Sequence, residues 1–142
     1  MEKAKIVLDA SVIVKWFNVE EYSEVALEIK RLYVEGLIDI VAPELLFYEV
    51  GNALKYNPNF GEKDVKRALK ALEDMQIELK ALRGELISET IKVAFRHGLT
   101  LYDASYVALA NLSNTICYTV DEEVIERISK ENVKHLREFK FK

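Results

Sequence analysis

Lys5-Ile6-Val7-Leu8-Asp9-Ala10-Ser11 is the stretch whose reading decides the fold. The apolar triplet Ile6-Val7-Leu8 is short enough for a buried strand. Asp9 and Ser11 follow it, and both are good helix caps. Val12, Ile13, Trp16 and Phe17 then recur at helical spacing.

Outward from there the same alternation repeats. Ser23 is placed to cap a long helix carrying Val25, Ile29, Leu32 and Tyr33 on one face, with Gly36 as its stop. Ile38–Ala42 reads as a second buried strand ended by Pro43. Leu46, Val50, Ala53 and Leu54 mark a helix over 44–56, and Asn57-Pro58-Asn59 breaks it. Val65, Ala68, Leu69, Leu72 and Met75 mark the next helix, and 77–79 a short strand. Helices are predicted at 86–97, stopping at Gly98, and at 102–111. A strand at 116–120, a helix at 122–128 and a strand at 133–136 complete the chain. Short apolar strands alternating with amphipathic helices indicate an α/β architecture, a mostly parallel central sheet flanked by helices. Such sheets bind ligands beyond the carboxyl ends of their strands, so the residues just after each strand are the candidates for function.

The chain has 142 residues, half of them hydrophobic and 31% charged, which suits one domain over residues 1–142 and excludes disorder and fibres. One cysteine, Cys117, excludes an intrachain disulfide framework, and with His97 and His135 it cannot make a zinc knuckle. Cys117 falls within a strand and reads as a small core residue. No apolar run approaches the roughly 18 residues of a membrane span, and the N-terminal apolar stretch is too short for a signal peptide. A soluble cytoplasmic protein is expected. The absence of GxGxxG, GxxxxGK[ST] and GxSxG argues against dinucleotide sites, P-loops and nucleophile elbows.

The net charge of −4 provides no overall attraction to nucleic acid. Basic residues concentrate in the middle, at Lys63, Lys66, Arg67, Lys70, Lys80, Arg83, Lys92 and Arg96. They read either as a substrate path or as a solvated helix face. Lys/Glu richness with a single glutamine, Gln76, leans towards a thermophile.

Of the six aspartates, Asp9 ends the first strand, Asp121 follows the strand at 116–120, and Asp103 opens a helix. Glu49 lies in apolar helix sequence with Asn52 three residues on, so the two share a face. Each acid also has a plain structural reading. Asp9 can cap the first helix, Thr100-x-x-Asp103 and Thr119-x-x-Glu122 match capping boxes, and Glu49 can reach solvent. Were the four to converge, any two about 4 Å apart would repel by about 4 kcal/mol at an effective dielectric near 20. They would then need a cation or have to protonate. An all-oxygen set without His or Cys suits Mg²⁺ or Mn²⁺.

These motifs resemble a known family. Val7-Leu8-Asp9-Ala10-Ser11, Pro43-Glu44 through Glu49-Val50-Gly51-Asn52-Ala53-Leu54, Leu101-Tyr102-Asp103-Ala104-Ser105-Tyr106-Val107-Ala108-Leu109-Ala110 and Tyr118-Thr119-Val120-Asp121 are similar to PIN-domain ribonucleases. The closest resemblance is to the VapC toxins of VapBC toxin–antitoxin modules. The resemblance implies a PIN-like three-layer sandwich and metal-assisted hydrolysis of RNA phosphodiesters. Asp9, Glu49, Asp103 and Asp121 match the family's catalytic and metal-binding acids, which take Mg²⁺ or Mn²⁺. Ser11, Asn52 and Thr119 match supporting positions. It further implies a VapB-type antitoxin and a homodimer, with Trp16, Phe17, Tyr22 and Phe47 as candidate contacts and core packing as their ordinary alternative. The chain departs from the family pattern at Glu123 and Val124, where many relatives carry Asp and Phe. Glu123 is therefore left outside the core site, and a catalytically inactive PIN-like module that binds RNA or protein is the alternative function.

Overall fold

A computed structural model describes residues 3–128 and 131–142. Five strands form one sheet: β1 (Ala4–Leu8), β2 (Ile38–Pro43), β3 (Glu78–Lys80), β4 (Cys117–Thr119) and β5 (Val133–His135). Their spatial order is β3-β2-β1-β4-β5 and every pairing is parallel. The expected mostly parallel sheet is thus wholly parallel among the described residues. Ile6, Val7 and Leu8 on β1, and Ile40, Val41 and Ala42 on β2, are all buried despite pointing alternately to both faces. Such runs are stable only where helices cover both sides of the sheet.

The helices are α1 (Ala10–Ile13), α2 (Ser23–Val34), α3 (Leu46–Lys55), α4 (Glu62–Asp74), α5 (Glu85–His97), α6 (Leu101–Leu112) and α7 (Glu122–Arg127). Parallel crossovers are right-handed, so α2, α3 and α4 fall on one face of the sheet and α5 and α6 on the other. The packing agrees. α2 lies on β2, and α3 lies against α1 and α4. On the other side α6 lies across β1, β2 and β4, with α5 against it. From β1 the chain winds outward through β2 to β3, then returns to β4 on the other flank of β1. The direction reverses between β1 and β4, and a reversal of this kind opens a crevice at the strands' carboxyl ends.

Several predicted boundaries move for identifiable reasons. The helix expected over 44–56 starts at Leu46, because the Glu44 amide still bonds the Lys80 carbonyl at 3.0 Å. The strand expected over 116–120 ends at Thr119, because the Val120 amide leaves the ladder to donate to Ser11 Oγ at 3.3 Å. The first helix lasts one turn and tightens into a 3₁₀ turn over Val14–Trp16. Ser23 does not cap α2; it is the first helical residue, and its Oγ accepts the Glu20 amide at 2.8 Å. Gly36 does stop that helix, at φ +76°, where a side chain would be strained.

Trp16 is core, 7% exposed, with Nε1 donating to the Ala26 carbonyl at 2.8 Å. Phe17, Tyr22 and Phe47 are partly buried against the same core, and Cys117 is buried in it. The core-packing alternative therefore describes Trp16. Exposed apolar residues lie elsewhere, Ile87, Ile91 and Phe95 on α5 among them.

Candidate active site

Asp9 is carried to the crevice by β1 and held there by β4: its amide donates to the Tyr118 carbonyl at 3.1 Å. It occupies the N-cap position of α1, yet its side chain makes no capping bond. The carboxylate instead receives two hydroxyls on one oxygen, Oδ2. Ser11 Oγ donates at 2.7 Å and Thr119 Oγ1 at 2.8 Å. The two hydroxyl oxygens are 3.4 Å apart. Each also accepts a backbone amide, Ser11 from Val120 and Thr119 from Asp121 at 3.1 Å. Accepting those amides leaves each hydroxyl hydrogen free to point at Asp9. The expected supporting residues Ser11 and Thr119 therefore lock one acid in place across the β1–β4 seam.

Glu49 projects from α3. It is half-buried, and the phenol of Tyr106 donates to its Oε1 at 2.7 Å. Tyr106 lies on α6, three residues after Asp103, and is 1% exposed. That bond joins the helical layers on opposite faces of the sheet. Tyr106 was not singled out in the sequence. Its signal was a tyrosine one turn from an acid on the same helix, a pattern shared by ordinary core tyrosines. Asp103 sits half-buried in the first turn of α6, where only one half of the anticipated capping box forms: its amide donates to Thr100 Oγ1 at 3.1 Å. Asp121 does act as a cap, its Oδ1 accepting the amides of Glu123 and Val124 at 3.0 and 3.2 Å. The second suggested box, from Thr119, gives way to this one because the Thr119 hydroxyl faces Asp9.

The electrostatics tie the acids together. Burial pushes the Asp9 carboxyl up, opposed by the Ser11 and Thr119 hydroxyls. Burial likewise raises Glu49, opposed by Tyr106 and reinforced by the charges of Asp9 and Asp103. Asp103 is raised by burial, then by Asp9 and Asp121. Burial and the charges of Asp9 and Glu49 push the Tyr106 phenol far up, so it stays a donor at any working pH. Among the described residues, none of Asp9, Glu49, Asp103 and Asp121 forms an ion pair with a basic side chain. Glu123 is turned to the surface and pairs with Arg127 at 2.9 Å. Asn52 is exposed on α3 and lines a groove facing α4 rather than the acids.

This donor set suits a hydrated divalent cation. Glu49 and Asp103 are half-buried and both feel the charge of Asp9, and among the described residues no basic side chain pairs with them, so the site is negative. Among the described residues no three His, Cys, Asp or Glu side chains close into a tight cage. Mg²⁺ typically takes one or two carboxylates and keeps several waters, so a site for it does not require such a cage.

The PIN domain family model matches residues 6–131. Ribonuclease VapC3 of Pyrobaculum aerophilum is 34% identical over 127 residues, covering 87% of this chain and 94% of that protein. Exonuclease VapC9 of the same organism is 35% identical over 83 residues, covering 58% of this chain and 62% of that protein. VapBC2 from Rickettsia felis, solved bound to a DNA fragment from its promoter, shares the fold. Its TM-score is 0.67 at 12% identity, over 92% of this chain and 98% of that one. Through its fold, its motifs and these matches, the chain belongs to the PIN-domain family, among the VapC proteins.

Proposed function

We propose that this protein is a metal-dependent endoribonuclease and the toxin of a toxin–antitoxin pair, with Asp9, Glu49, Asp103 and Asp121 as its catalytic and metal-holding acids. The observation that carries the reading is Asp9, a buried acid without an ion pair that is held by two hydroxyls and whose charge raises two further carboxyls. A divalent cation, when bound, would polarise the scissile phosphate and make water more acidic. The chain's own part is orientation. Ser11 and Thr119 fix Asp9, and Tyr106 fixes Glu49. Carboxyls raised towards neutrality are matched to accepting a proton from the attacking water.

The test is to incubate antitoxin-free protein with single-stranded RNA, linear and circular, and Mn²⁺ or Mg²⁺. Cleavage of both RNAs that EDTA abolishes supports the reading. Cleavage of the linear form alone means an exonuclease, and intact RNA under both metals points to the inactive binding module.

Tyr106→Phe probes the positioning of Glu49 while keeping the buried ring. Changes in groups that hold metal ligands typically cost 10- to 100-fold in affinity or activity. The expected outcome is a fall of roughly 10-fold in kcat with KM for RNA little changed. The acid limb of the pH–rate profile should also move to higher pH, because a donor that held the Glu49 carboxyl down is gone. An unmoved profile would make Tyr106 a packing residue only.

The reading also includes partners in the cytoplasm. An antitoxin that placed a cationic side chain among the four acids would neutralise the site directly. A homodimer is supported by Ile87, Ile91 and Phe95, which recur at i, i+4 and i+8 on α5 and are 40%, 45% and 85% exposed. Phe95→Glu should weaken self-association by roughly 30-fold or more in sedimentation velocity, the scale of an aromatic anchor at an interface. A monomeric wild type at micromolar concentration would remove the dimer from the proposal.

A further inference from the structure

The basic cluster of the middle segment resolves into a pattern on one helix. Lys63, Lys66, Arg67 and Lys70 recur at i, i+3, i+4 and i+7 on α4, all exposed. Among the described residues none of the four is in an ion pair. Like charges at this spacing repel, so the stripe costs helix stability in the free protein. Some cations elsewhere are paired: Arg31 bonds both Glu28 and Glu35, and Lys5 and Lys80 share Glu78.

The stripe borders a groove of about 610 Å³ between α3 and α4, lined by Phe47, Tyr48, Asn52, Lys55, Phe60 and Lys66 among others. Two tyrosines stand out from the surface near it, Tyr48 on α3 at 78% and Tyr56, just past the end of α3, at 79% exposure. The Lys55 ammonium lies 5.2 Å from the Tyr56 ring centre. Helical spacing connects this surface to the acids. Glu49, Asn52 and Tyr56 share one flank of α3 at i, i+3 and i+7, while Tyr48, Asn52 and Lys55 share the next at i, i+4 and i+7. Asn52 is common to both flanks and lines the groove.

Resting on the ribonuclease reading, we propose that the exposed surface of α3 and the basic stripe of α4 form the track that carries single-stranded RNA to the acids. Bases stack on Tyr48 and Tyr56, and Lys63, Lys66, Arg67 and Lys70 face successive phosphates. Exposed aromatics beside an unpaired basic stripe are the elements of a single-strand platform. Glu62, Asp64, Glu73 and Asp74 share the helix, but none of them forms an ion pair with the stripe among the described residues, so the four cations remain open to a polyanion. The track also accounts for a protein of net charge −4 holding a negative substrate: the cations are gathered on one path.

The test measures binding rather than cleavage. A labelled 12-nucleotide oligouridylate is titrated in EDTA at several KCl concentrations, and the slope of log Kd against log salt is read. Each phosphate contact on a single strand contributes about 0.7 to that slope. The triple variant Lys63→Gln, Lys66→Gln, Lys70→Gln should lower it by about 2. The control triple Lys134→Gln, Lys140→Gln, Lys142→Gln changes net charge equally at exposed positions away from α4 and should leave it unchanged. Equal slopes for the two triples, or an α4 triple that binds as wild type does, overturn the track and leave the stripe to a protein partner. Wild-type protein that neither binds nor cuts RNA overturns both the track and the ribonuclease reading. Stripe-dependent binding without cleavage upholds the track and overturns only the catalytic reading.

Discussion

Asp9→Asn is expected to lower RNA cleavage by about 1,000-fold or more while raising the melting temperature of the metal-free protein. The loss follows from the chemistry. Asparagine nearly matches aspartate in shape and can still accept the Ser11 and Thr119 hydroxyls that now converge on Oδ2. It removes the charge that a cation would require and the basicity a proton acceptor would require, and a barrier increase of about 4 kcal/mol is a thousandfold in rate. The gain follows from electrostatics: Asp9 is among the causes that raise both Glu49 and Asp103. Removing one member of a like-charged, half-buried cluster relieves repulsion that the free protein otherwise carries, as is common where function and stability conflict. A gain of about 1 kcal/mol corresponds to roughly 2–4 °C for a domain near this size. Cleavage kinetics and calorimetry on the same preparation separate the outcomes. Full activity would place the chemistry elsewhere. Lower activity together with a lower melting temperature would make Asp9 a structural residue.

A divalent cation should stabilise the protein at neutral pH by several degrees, and that shift should shrink in acid. Asp9, Glu49 and Asp103 are all raised above their ordinary values of 3.8, 4.5 and 3.8. The folded state therefore binds protons more tightly than the unfolded chain at these positions. Their contribution to stability is fully present below the ordinary values, is lost as pH rises through the raised ones, and stays lost at neutrality. Glu78 and Glu122, lowered by Lys80 and Arg137, act in the opposite sense, so the wild type and Asp9→Asn are best compared as a difference. Cation binding reverses the loss. At one hundred times Kd it contributes about 2.7 kcal/mol, and at roughly 2–4 °C per kcal/mol the melting point rises about 5–10 °C. Protons compete for the same oxygens, so Mn²⁺ should shift melting strongly at pH 8 and weakly at pH 5. An equal shift at both pH values, or one that survives Asp9→Asn, would place the ion away from this cluster.

Much of the architecture was legible locally. Ile6-Val7-Leu8 and Ile38–Ala42 are too short and too apolar to be anything but buried strands beside helices of heptad-like spacing. Gly36 and Gly98 ended their helices where expected, because both adopt the left-handed backbone that glycine tolerates, at φ +76° and +65°. Two of the boundaries that moved did so through long-range bonds. The Glu44 amide belongs to Lys80, and the Val120 amide belongs to Ser11. Neither partner lies within the local window on which a sequence pattern depends.

The candidate site divides in the same way. The sequence by itself determined the strands to within a residue or two, and with them that Asp9 and Asp121 follow strands, because strand periodicity and helix starts are properties of neighbouring residues. It left open whether Asp9, Asp103, Asp121 and Glu49 were ordinary caps and surface acids. Only the tertiary structure decided that Asp121 caps α7 while Asp9 caps nothing. It also decided that Tyr106 reaches across the sheet to Glu49, 57 positions away in the chain. The physical reason is that a cap is a bond within one turn, which spacing can suggest. The charge and hydrogen bonding of a buried carboxylate depend on groups that only the crossover between β1 and β4 brings together.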